Sequence, residues 1–262
     1  MSDFNYENAF SRNIGWVTDA EQQVLRNKKV AIAGCGGVGG VHLLTLSRLG
    51  IANFNISDFD EFEVHNFNRQ AGAFMSTIGK EKCAVMETMA KDINPQSKIT
   101  TFPEGVFEHN IDAFLEGVDI YVDSLDFFAL KARKTVLSKC YEKGIPVVIA
   151  APLGMGVAFV CFQPKQMNFE EYFRFEDAKT EDEQFIQFLI GLSPSMLQRS
   201  YLVDGTYVLK ILLNRGKVIA APFGLHFDAY KNKMVKTWCP FGNRGLLQKL
   251  KFHIAKKIVL AD

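Results

Sequence analysis

The chain has 262 residues, 48% of them hydrophobic, and its 30 Lys and Arg side chains nearly balance its 29 Asp and Glu side chains. This composition excludes global disorder, and the charge balance gives no overall attraction to nucleic acid. The first residues are polar and acidic, unlike a secretory signal, and no apolar stretch approaches the length of a membrane span. The scattered cysteines form no C-x-x-C pair, which argues against a disulfide framework and a zinc site. We therefore expect a cytoplasmic protein.

The first 150 residues alternate strand and helix patterns. Apolar runs predict strands at residues 30–34, 54–57, 98–102, 120–123 and 146–150. Helical periodicity predicts helices at residues 38–49, 80–94 and 127–143. Such alternation is typical of a parallel sheet with crossover helices. We therefore predict an α/β fold with a doubly wound, Rossmann-like, mostly parallel sheet.

The pattern changes after residue 151. Residues 156–163 predict one more strand, of antiparallel direction, and residues 164–195, rich in aromatic and acidic side chains, are predicted to be an insertion or a lid. The elements predicted beyond it are a helix at 203–214, a C-terminal antiparallel hairpin at 223–230 and 234–238, and a helix at 246–259. The packed side of the last helix is predicted to be Leu246, Leu250, Ile254 and Ile258. We predict a single domain over residues 1–262.

A glycine-rich segment, AGCGGVGG at residues 33–40, follows the first predicted strand. The spacing Gly34-x-Gly36-x-x-Gly39 fits a corner where backbone N–H groups approach a phosphate. Asp58 follows the second predicted strand, where a carboxylate accepts hydrogen bonds from ribose hydroxyls. From these residues alone, NAD and ATP explain the sequence equally well, and a corner without any ligand is a third interpretation.

Polar side chains further along the chain separate the two nucleotides. Residues 58–70, DFDEFEVHNFNRQ, place on one segment Asp58, Asp60, Asn66, Arg69 and Gln70. Lys82 follows at the start of a predicted helix, and cations converging on a nucleotide held by amides indicate a triphosphate. Asp126, after the fourth predicted strand, suits Mg²⁺, which binds a few carboxylates together with phosphate oxygens. The set favours ATP with Mg²⁺ over NAD, with Asp60 open between the site and a turn.

This combination resembles the ThiF/MoeB/HesA superfamily of adenylyltransferases, relatives of ubiquitin-activating enzymes, over roughly residues 10–160. The resemblance is carried by G-x-G-G-x-G, D-x-D, N-x-x-R-Q, a following lysine and D-x-x-D, in that order. It implies a ThiF-type ATP-binding domain in which Asp58 takes the ribose and Asp126 binds magnesium. The ATP-binding glycines would be Gly34, Gly36, Gly37 and Gly39. The residues lining the phosphates would be Asn66, Arg69, Gln70 and Lys82.

The resemblance also implies a homodimer, in which Arg12 reaches the ATP of the neighbouring subunit. The implied reaction is adenylation of a carboxylate, which needs positioning and charge stabilisation but no general base. The substrate carboxylate is already ionised at neutral pH. We therefore expect a site of cations, amides and a metal ion without a catalytic histidine.

Departures from the family pattern leave the acyl substrate open. The zinc-binding cysteine pairs are absent, residues 164–195 hold no acceptor cysteine, and Phe127 stands where the family usually has Asn. One hypothesis is a ubiquitin-like or sulfur-carrier protein whose carboxy terminus is adenylated. A second is an RNA-linked carboxylate, as in the tRNA threonylcarbamoyladenosine dehydratase branch, although the charge does not indicate RNA. A third is a nucleotide-binding scaffold without turnover.

An enzyme thioester is not expected from the positions of the cysteines. A thioester needs an exposed, activated thiolate within reach of the adenylate. Only Cys35, in the glycine-rich segment, lies where the amides of a helix N-terminus would lower the pKa of a thiol. We interpret it as structural and predict that the chemistry ends at an acyl-adenylate.

Overall fold

The computed structural model describes residues 4–153, 156–192, 206–228, 233–238 and 245–259. The chain divides into two compact units. The first comprises Met1–Leu125 and Val203–Lys217, and the second comprises Asp126–Leu202 and Val218–Asp262. The single domain over residues 1–262 stays a prediction.

The sheet of the first unit is parallel. Its strands are β1 (Lys29–Ala33), β2 (Asn53–Ser57), β3 (Lys98–Phe102) and β4 (Ile120–Asp123). They lie in the order β3-β2-β1-β4, so the chain order reverses beside β1. Ala33, the last residue of β1, is in register with Ser57 and Asp123, so three carboxyl ends share one edge. Ligands of open parallel sheets bind at such an edge, where the strand order reverses.

In the described part of the first unit, α-helices alternate with these strands along the chain. They are α1 (Tyr6–Ala9), α2 (Asp19–Asn27), α3 (Gly37–Arg48), α4 (Lys82–Ile93), α5 (Ile111–Phe114) and α9 (Thr206–Leu212). The predictions for α3 and α4 are confirmed, whereas α1, α2 and α5 were not predicted. Residues 203–205, where the helix now seen as α9 was predicted to begin, lie outside the described residues. All four residues from Val30 to Ala33 are fully buried, as expected for a parallel strand covered on both faces.

The second unit contains an antiparallel sheet. Its strands, in spatial as well as chain order, are β5 (Val147–Leu153), β6 (Gly156–Phe162), β7 (Phe223–Asp228) and β8 (Lys233–Trp238). The antiparallel direction predicted for β6 and the hairpin of β7 and β8 are confirmed. The predicted fold class, an α/β protein with a parallel Rossmann-like sheet and C-terminal antiparallel strands, is thereby confirmed.

The helices of the second unit are α6 (Leu130–Lys143), α7 (Phe169–Phe173), α8 (Glu181–Leu192) and α10 (Leu246–Val259). The predicted packed side of α10 is wrong, because Leu246, Leu250 and Ile254 are exposed, Leu246 to 87%. The buried side instead presents Ala255, which packs with Ile186 of α8. Helical periodicity identifies an apolar stripe, but neighbouring elements decide which side is covered.

The predicted insertion at 164–195 is largely helical where the structure describes it, and residues 193–195 lie outside that part. Its aromatic side chains form a packed core, made of Phe169, Tyr172, Phe173, Phe175 and Phe188. Phe173, for example, lies 5.1 Å from Phe188 between ring centroids. Packing therefore accounts for the aromatic composition, and a lid role stays a prediction. Across the described residues, no helix combines the length and apolar character needed to cross a membrane.

Candidate functional site

The glycine loop, residues 34–39, joins β1 to α3 at the carboxyl edge of the parallel sheet. Gly34 has a positive φ of 92°, and a Cβ there would overlap the carbonyl oxygen of Ser124. A Cβ at Gly39 would overlap the carbonyl oxygen of Gly34. Gly36 precedes α3 and provides no side-chain cap, so amides of the first helical turn remain free for an acceptor from outside the helix. A helix N-terminus of this kind favours anions.

Asp58 fastens this loop to the end of β2. Its Oδ2 accepts a hydrogen bond of 2.7 Å from the backbone N–H of Cys35, and its Oδ1 accepts one of 2.9 Å from the backbone N–H of Asp60. Burial raises the pKa of Asp58, although these two hydrogen bonds and the nearby Lys82 ammonium act in the opposite direction. Each carboxylate oxygen accepts more than one hydrogen bond, so capacity for a ribose hydroxyl remains.

Lys82, the first residue of α4, lies beside two carboxylates. Its Nζ is 2.8 Å from Oδ2 of Asp60 and 4.0 Å from Oδ1 of Asp58. A buried ammonium requires such partners, because the loss of its hydration is otherwise costly. The Asp60 side chain is 53% exposed, which leaves the ion pair open to solvent on one side. Asp60 belongs to the turn after β2 and also contacts Lys82.

Arg69 and Gln70 lie against the glycine loop. A Cβ at Gly37 would come within 3.3 Å of Arg69 Cγ, and one at Gly36 within 3.4 Å of Gln70 Nε2. The Oε1 atom of Gln70 is buried and accepts no hydrogen bond from any described residue. A buried acceptor without a donor is uncommon in folded proteins. Together with the exposed guanidinium of Arg69, it gives the loop a polar wall able to meet a ligand.

The other predicted site residues are placed differently. Asn66 is buried in its own turn, where its Oδ1 accepts a hydrogen bond from the backbone N–H of Glu63. Arg12 is exposed on a short 3₁₀ turn, Ser11–Asn13, and within the described chain its guanidinium forms no hydrogen bond or ion pair. Asp126 begins the second unit, exposed, with Oδ1 accepting a hydrogen bond of 2.9 Å from the backbone N–H of Phe128.

The pKa of Cys35 is raised in the structure, although the sequence places this residue beside the start of a helix. A hydrogen bond with the Cys83 thiol, together with burial, raises the pKa of Cys35 well above its ordinary value. The thiol is buried and lies 3.8 Å from the carbonyl oxygen of Ser57. Sequence reasoning missed Cys83 as a partner, although its place directly after Lys82 was a usable signal. Cys239 lies outside the described residues.

Metal-binding clusters were also sought in the part of the chain that the structure describes. No group of three or more His, Cys, Asp or Glu side chains there could hold a metal ion. Arg133, which contacts the carbonyl oxygens of Asp126 and Phe127, was not predicted, because its position in the first turn of α6 belongs to no motif.

Comparison with known proteins matches the sequence of this chain to one family. The pattern of the ThiF family matches residues 10–244. The tRNA threonylcarbamoyladenosine dehydratase of Bacillus subtilis (strain 168) is 30% identical over 140 residues, which is 53% of this chain and 54% of that protein. The adenylyltransferase and sulfurtransferase UBA4 of Lodderomyces elongisporus is 26% identical over 229 residues, which is 83% of this chain and 48% of that protein.

The chain therefore spans about half the length of the curated relatives it matches. Among solved structures, the crystal structure of PaaA aligns with a TM-score of 0.71 at 17% identity, covering 91% of this chain and 85% of that one. At this identity the likeness shows the fold alone.

Proposed function

The chain belongs to the ThiF family, and on this premise we propose that it is an ATP-dependent adenylyltransferase that activates a carboxylate as an acyl-adenylate. The observation that carries the proposal is the contact set around the glycine loop. Asp58 holds the loop by the Cys35 amide, and Lys82 lies within 4.0 Å of the same carboxylate. A nucleotide that combines a ribose with charged phosphates fits these groups better than NAD, which carries less charge to neutralise.

ATP would bind with its phosphates at the uncapped start of α3. The free amides there and the guanidinium of Arg69 supply donors to phosphate oxygens. Lys82 would exchange Asp60 for phosphate, because a phosphate oxygen replaces the charged partner of the buried ammonium while the 53% exposed Asp60 carboxylate remains hydrated. Gln70 would add its side-chain amide beside Gly36. Asn66 would stabilise the turn that carries Arg69 and Gln70. Asp58 accepts hydrogen bonds from the ribose.

The reaction would proceed by attack of a carboxylate oxygen on the α-phosphorus, with pyrophosphate leaving. The carboxylate is ionised at neutral pH and needs no base, so catalysis rests on positioning and on stabilisation of the charge that shifts to pyrophosphate. Lys82 and Arg69 would provide that charge within one chain. Arg12, which has no partner among the described residues, would provide it to the other subunit of a homodimer.

Asp126 would hold Mg²⁺ together with the phosphates. Its Oδ1 is engaged by the Phe128 amide, whereas Oδ2 forms no hydrogen bond or ion pair with the described residues. One carboxylate oxygen is a fitting ligand, because Mg²⁺ in nucleotide sites takes one or two carboxylates and completes its shell with phosphate and water. The ion, when bound, neutralises phosphate charge.

Two substrate classes are each favoured by one observation. A ubiquitin-like or sulfur-carrier protein, activated at its carboxy terminus in the cytoplasm, is favoured by the likeness to UBA4, which extends over 83% of this chain. An RNA-linked carboxylate is favoured by the 30% identity to the tRNA threonylcarbamoyladenosine dehydratase. The two classes differ in the group that carries the carboxylate, while the adenylation chemistry is the same.

Nucleotide binding followed by exchange tests the proposal. Calorimetry with ATP and Mg²⁺ is expected to give binding, and calorimetry with NAD none. ATP–pyrophosphate exchange is then measured with a small protein ending in Gly-Gly and, separately, with threonylcarbamoyladenosine-modified tRNA. Exchange with either one identifies the substrate class. Tight NAD binding without ATP binding would overturn the proposal, and ATP binding without exchange by either would favour the scaffold without turnover.

A further inference from the structure

The short segment from Asp126 to Ala129 is held in place by a buried arginine of α6. Arg133 is only 3% exposed, and its Nη2 donates a hydrogen bond of 3.2 Å to the carbonyl oxygen of Asp126. Its Nη1 lies 3.5 Å from the carbonyl oxygen of Phe127. The Asp126 carbonyl also accepts a hydrogen bond of 3.0 Å from the backbone N–H of Ala129. The backbone that carries the Asp126 carboxylate is therefore tied to the first turns of α6.

The guanidinium of Arg133 is itself held by an aromatic ring. Its central carbon lies 4.8 Å from the ring centroid of Phe188, a residue of α8. An arginine remains charged at every physiological pH, so a buried one needs carbonyl oxygens or ring faces around it. Phe188 thus determines where the fork of Arg133 points, and the fork determines where the Asp126 backbone lies.

The side chains that follow Asp126 pack on the same helix. The ring of Phe127 lies 5.5 Å from Phe188 and 6.5 Å from Phe185, between centroids. The ring of Phe128, whose N–H donates to the Asp126 carboxylate, stacks on Phe185 at 5.0 Å with an interplanar angle of 21°. Both rings pack against α8, so the backbone N–H of Phe128, which orients the Asp126 carboxylate, is fixed in position with them.

We infer that Arg133, clamped by Phe188, is a positioning residue that aims the Asp126 carboxylate at the cation bound with the nucleotide. Helix α8 of the predicted insertion contributes to this arrangement through Phe185 and Phe188. The inference rests on the proposed function, in which Asp126 binds the cation. Arg133 touches neither nucleotide nor cation in this scheme and acts through Asp126 alone.

The test measures how much a divalent cation strengthens ATP binding. Calorimetry gives the ATP dissociation constant with Mn²⁺ and again with a chelator, and the ratio reports the contribution of the cation. Arg133→Met keeps the aliphatic volume and removes the donor fork. It is expected to reduce this ratio about tenfold, because the loss of a group that orients a metal ligand has an effect of this size. The ATP dissociation constant measured with the chelator should stay within about twofold of the wild-type value. Arg133→Lys, which keeps the charge, should recover part of the ratio.

A matched control is the neighbouring residue on α6. Lys134 also lies over an aromatic ring, that of Phe175 at 5.1 Å, and pairs with Glu170, but it makes no contact with Asp126 among the described residues. Lys134→Met should therefore leave the ratio unchanged. The electron paramagnetic resonance spectrum of bound Mn²⁺ gives a second readout, expected to change in Arg133→Met and not in Lys134→Met.

The outcomes separate this inference from the proposed function. Loss of the cation effect in both Asp126→Asn and Arg133→Met supports the inference. Loss in Asp126→Asn alone, with Arg133→Met like the wild type, overturns the inference and keeps the function. A wild type that does not bind ATP overturns both. If Arg133→Met fails to fold, Phe188→Leu is tested in its place. It is expected to reduce the ratio of the two ATP dissociation constants about threefold, which is less than the full loss of an orienting group. An unchanged ratio in Phe188→Leu overturns the inference.

Discussion

Lys82 and Arg133 are both buried cations, one in each unit, and their surroundings differ. Lys82 in the first unit contacts the side-chain carboxylates of Asp58 and Asp60. Arg133 in the second unit is met by backbone carbonyl oxygens and the ring of Phe188. The carboxylate of Asp60 is half exposed and can be exchanged for a phosphate, whereas backbone carbonyls and a packed ring cannot be displaced by a ligand. The first arrangement suits binding, and the second suits positioning.

Gly39→Ala tests the rigidity of the loop that Lys82 faces, and we expect it to have the largest effect. A Cβ at Gly39 would overlap the carbonyl oxygen of Gly34, so strand and helix would have to separate. We expect the free energy of unfolding to fall by about 3 kcal/mol, the upper range for overpacking. Gly245→Ala in the second unit, with open space around its Cβ, should change it by less than about 0.5 kcal/mol. Urea titrations measure both, and equal effects would contradict the tight corner.

Lys82→Ala tests the binding role of the first buried cation. Removing a charged donor to phosphate is expected to cost about 2 kcal/mol, which weakens ATP affinity about thirtyfold. Lys80→Ala is the control, because Lys80 is exposed two residues earlier on the same segment. Calorimetry with ATP gives both values. Two results together would contradict the contrast between a binding Lys82 and a positioning Arg133. One is wild-type ATP affinity in Lys82→Ala, and the other is loss of ATP binding in Arg133→Met when no divalent cation is present.

The capping boxes that begin α2 in the first unit and α7 in the second provide a test of local stability away from both cations. The hydroxyl of Thr18 accepts a hydrogen bond from the Glu21 amide at the start of α2, and Asn168 does the same for the Glu171 amide at the start of α7. Thr18→Ala and Asn168→Ala should each lower the free energy of unfolding by about 1 kcal/mol. Nucleotide affinity should not change in either variant. A change in ATP affinity would show that these helix starts, remote in sequence from the motifs, also shape the site.

The pH dependence of stability tests the burial of Asp58, with the smallest expected effect. Burial raises the pKa of this carboxyl, so the folded protein retains the proton to a higher pH than the unfolded chain. Stability therefore falls as pH rises from the ordinary pKa of about 4 through the raised value, because ionisation favours the unfolded chain. Asp58→Asn does not titrate, so its stability relative to the wild type should increase across that window and stay constant above it. A flat difference in urea titrations at stepped pH would contradict this assignment.

The parallel strands and the glycine loop were predictable because their signals are local. Apolar runs located the four strands of the first unit to within one residue at each end. The glycines mark the corner because a positive φ and the absence of a Cβ are properties of single residues. The polar set from Asp58 to Lys82 was identified from residue types that follow the second predicted strand, and the structure brings Asp58, Asp60 and Lys82 together. These inferences need only the order of residues along the chain.

The remaining features depend on contacts between residues far apart in sequence, which no local pattern contains. The Cys35 thiol meets Cys83, α10 covers its neighbour with Ala255 rather than with its leucine stripe, and Asp126 is held by Arg133. Each is decided when an element packs and the better-fitting side is buried. The sequence by itself thus determined where the glycine corner lies, and the tertiary structure decided which side chains are buried against one another, because burial is a property of the packed whole.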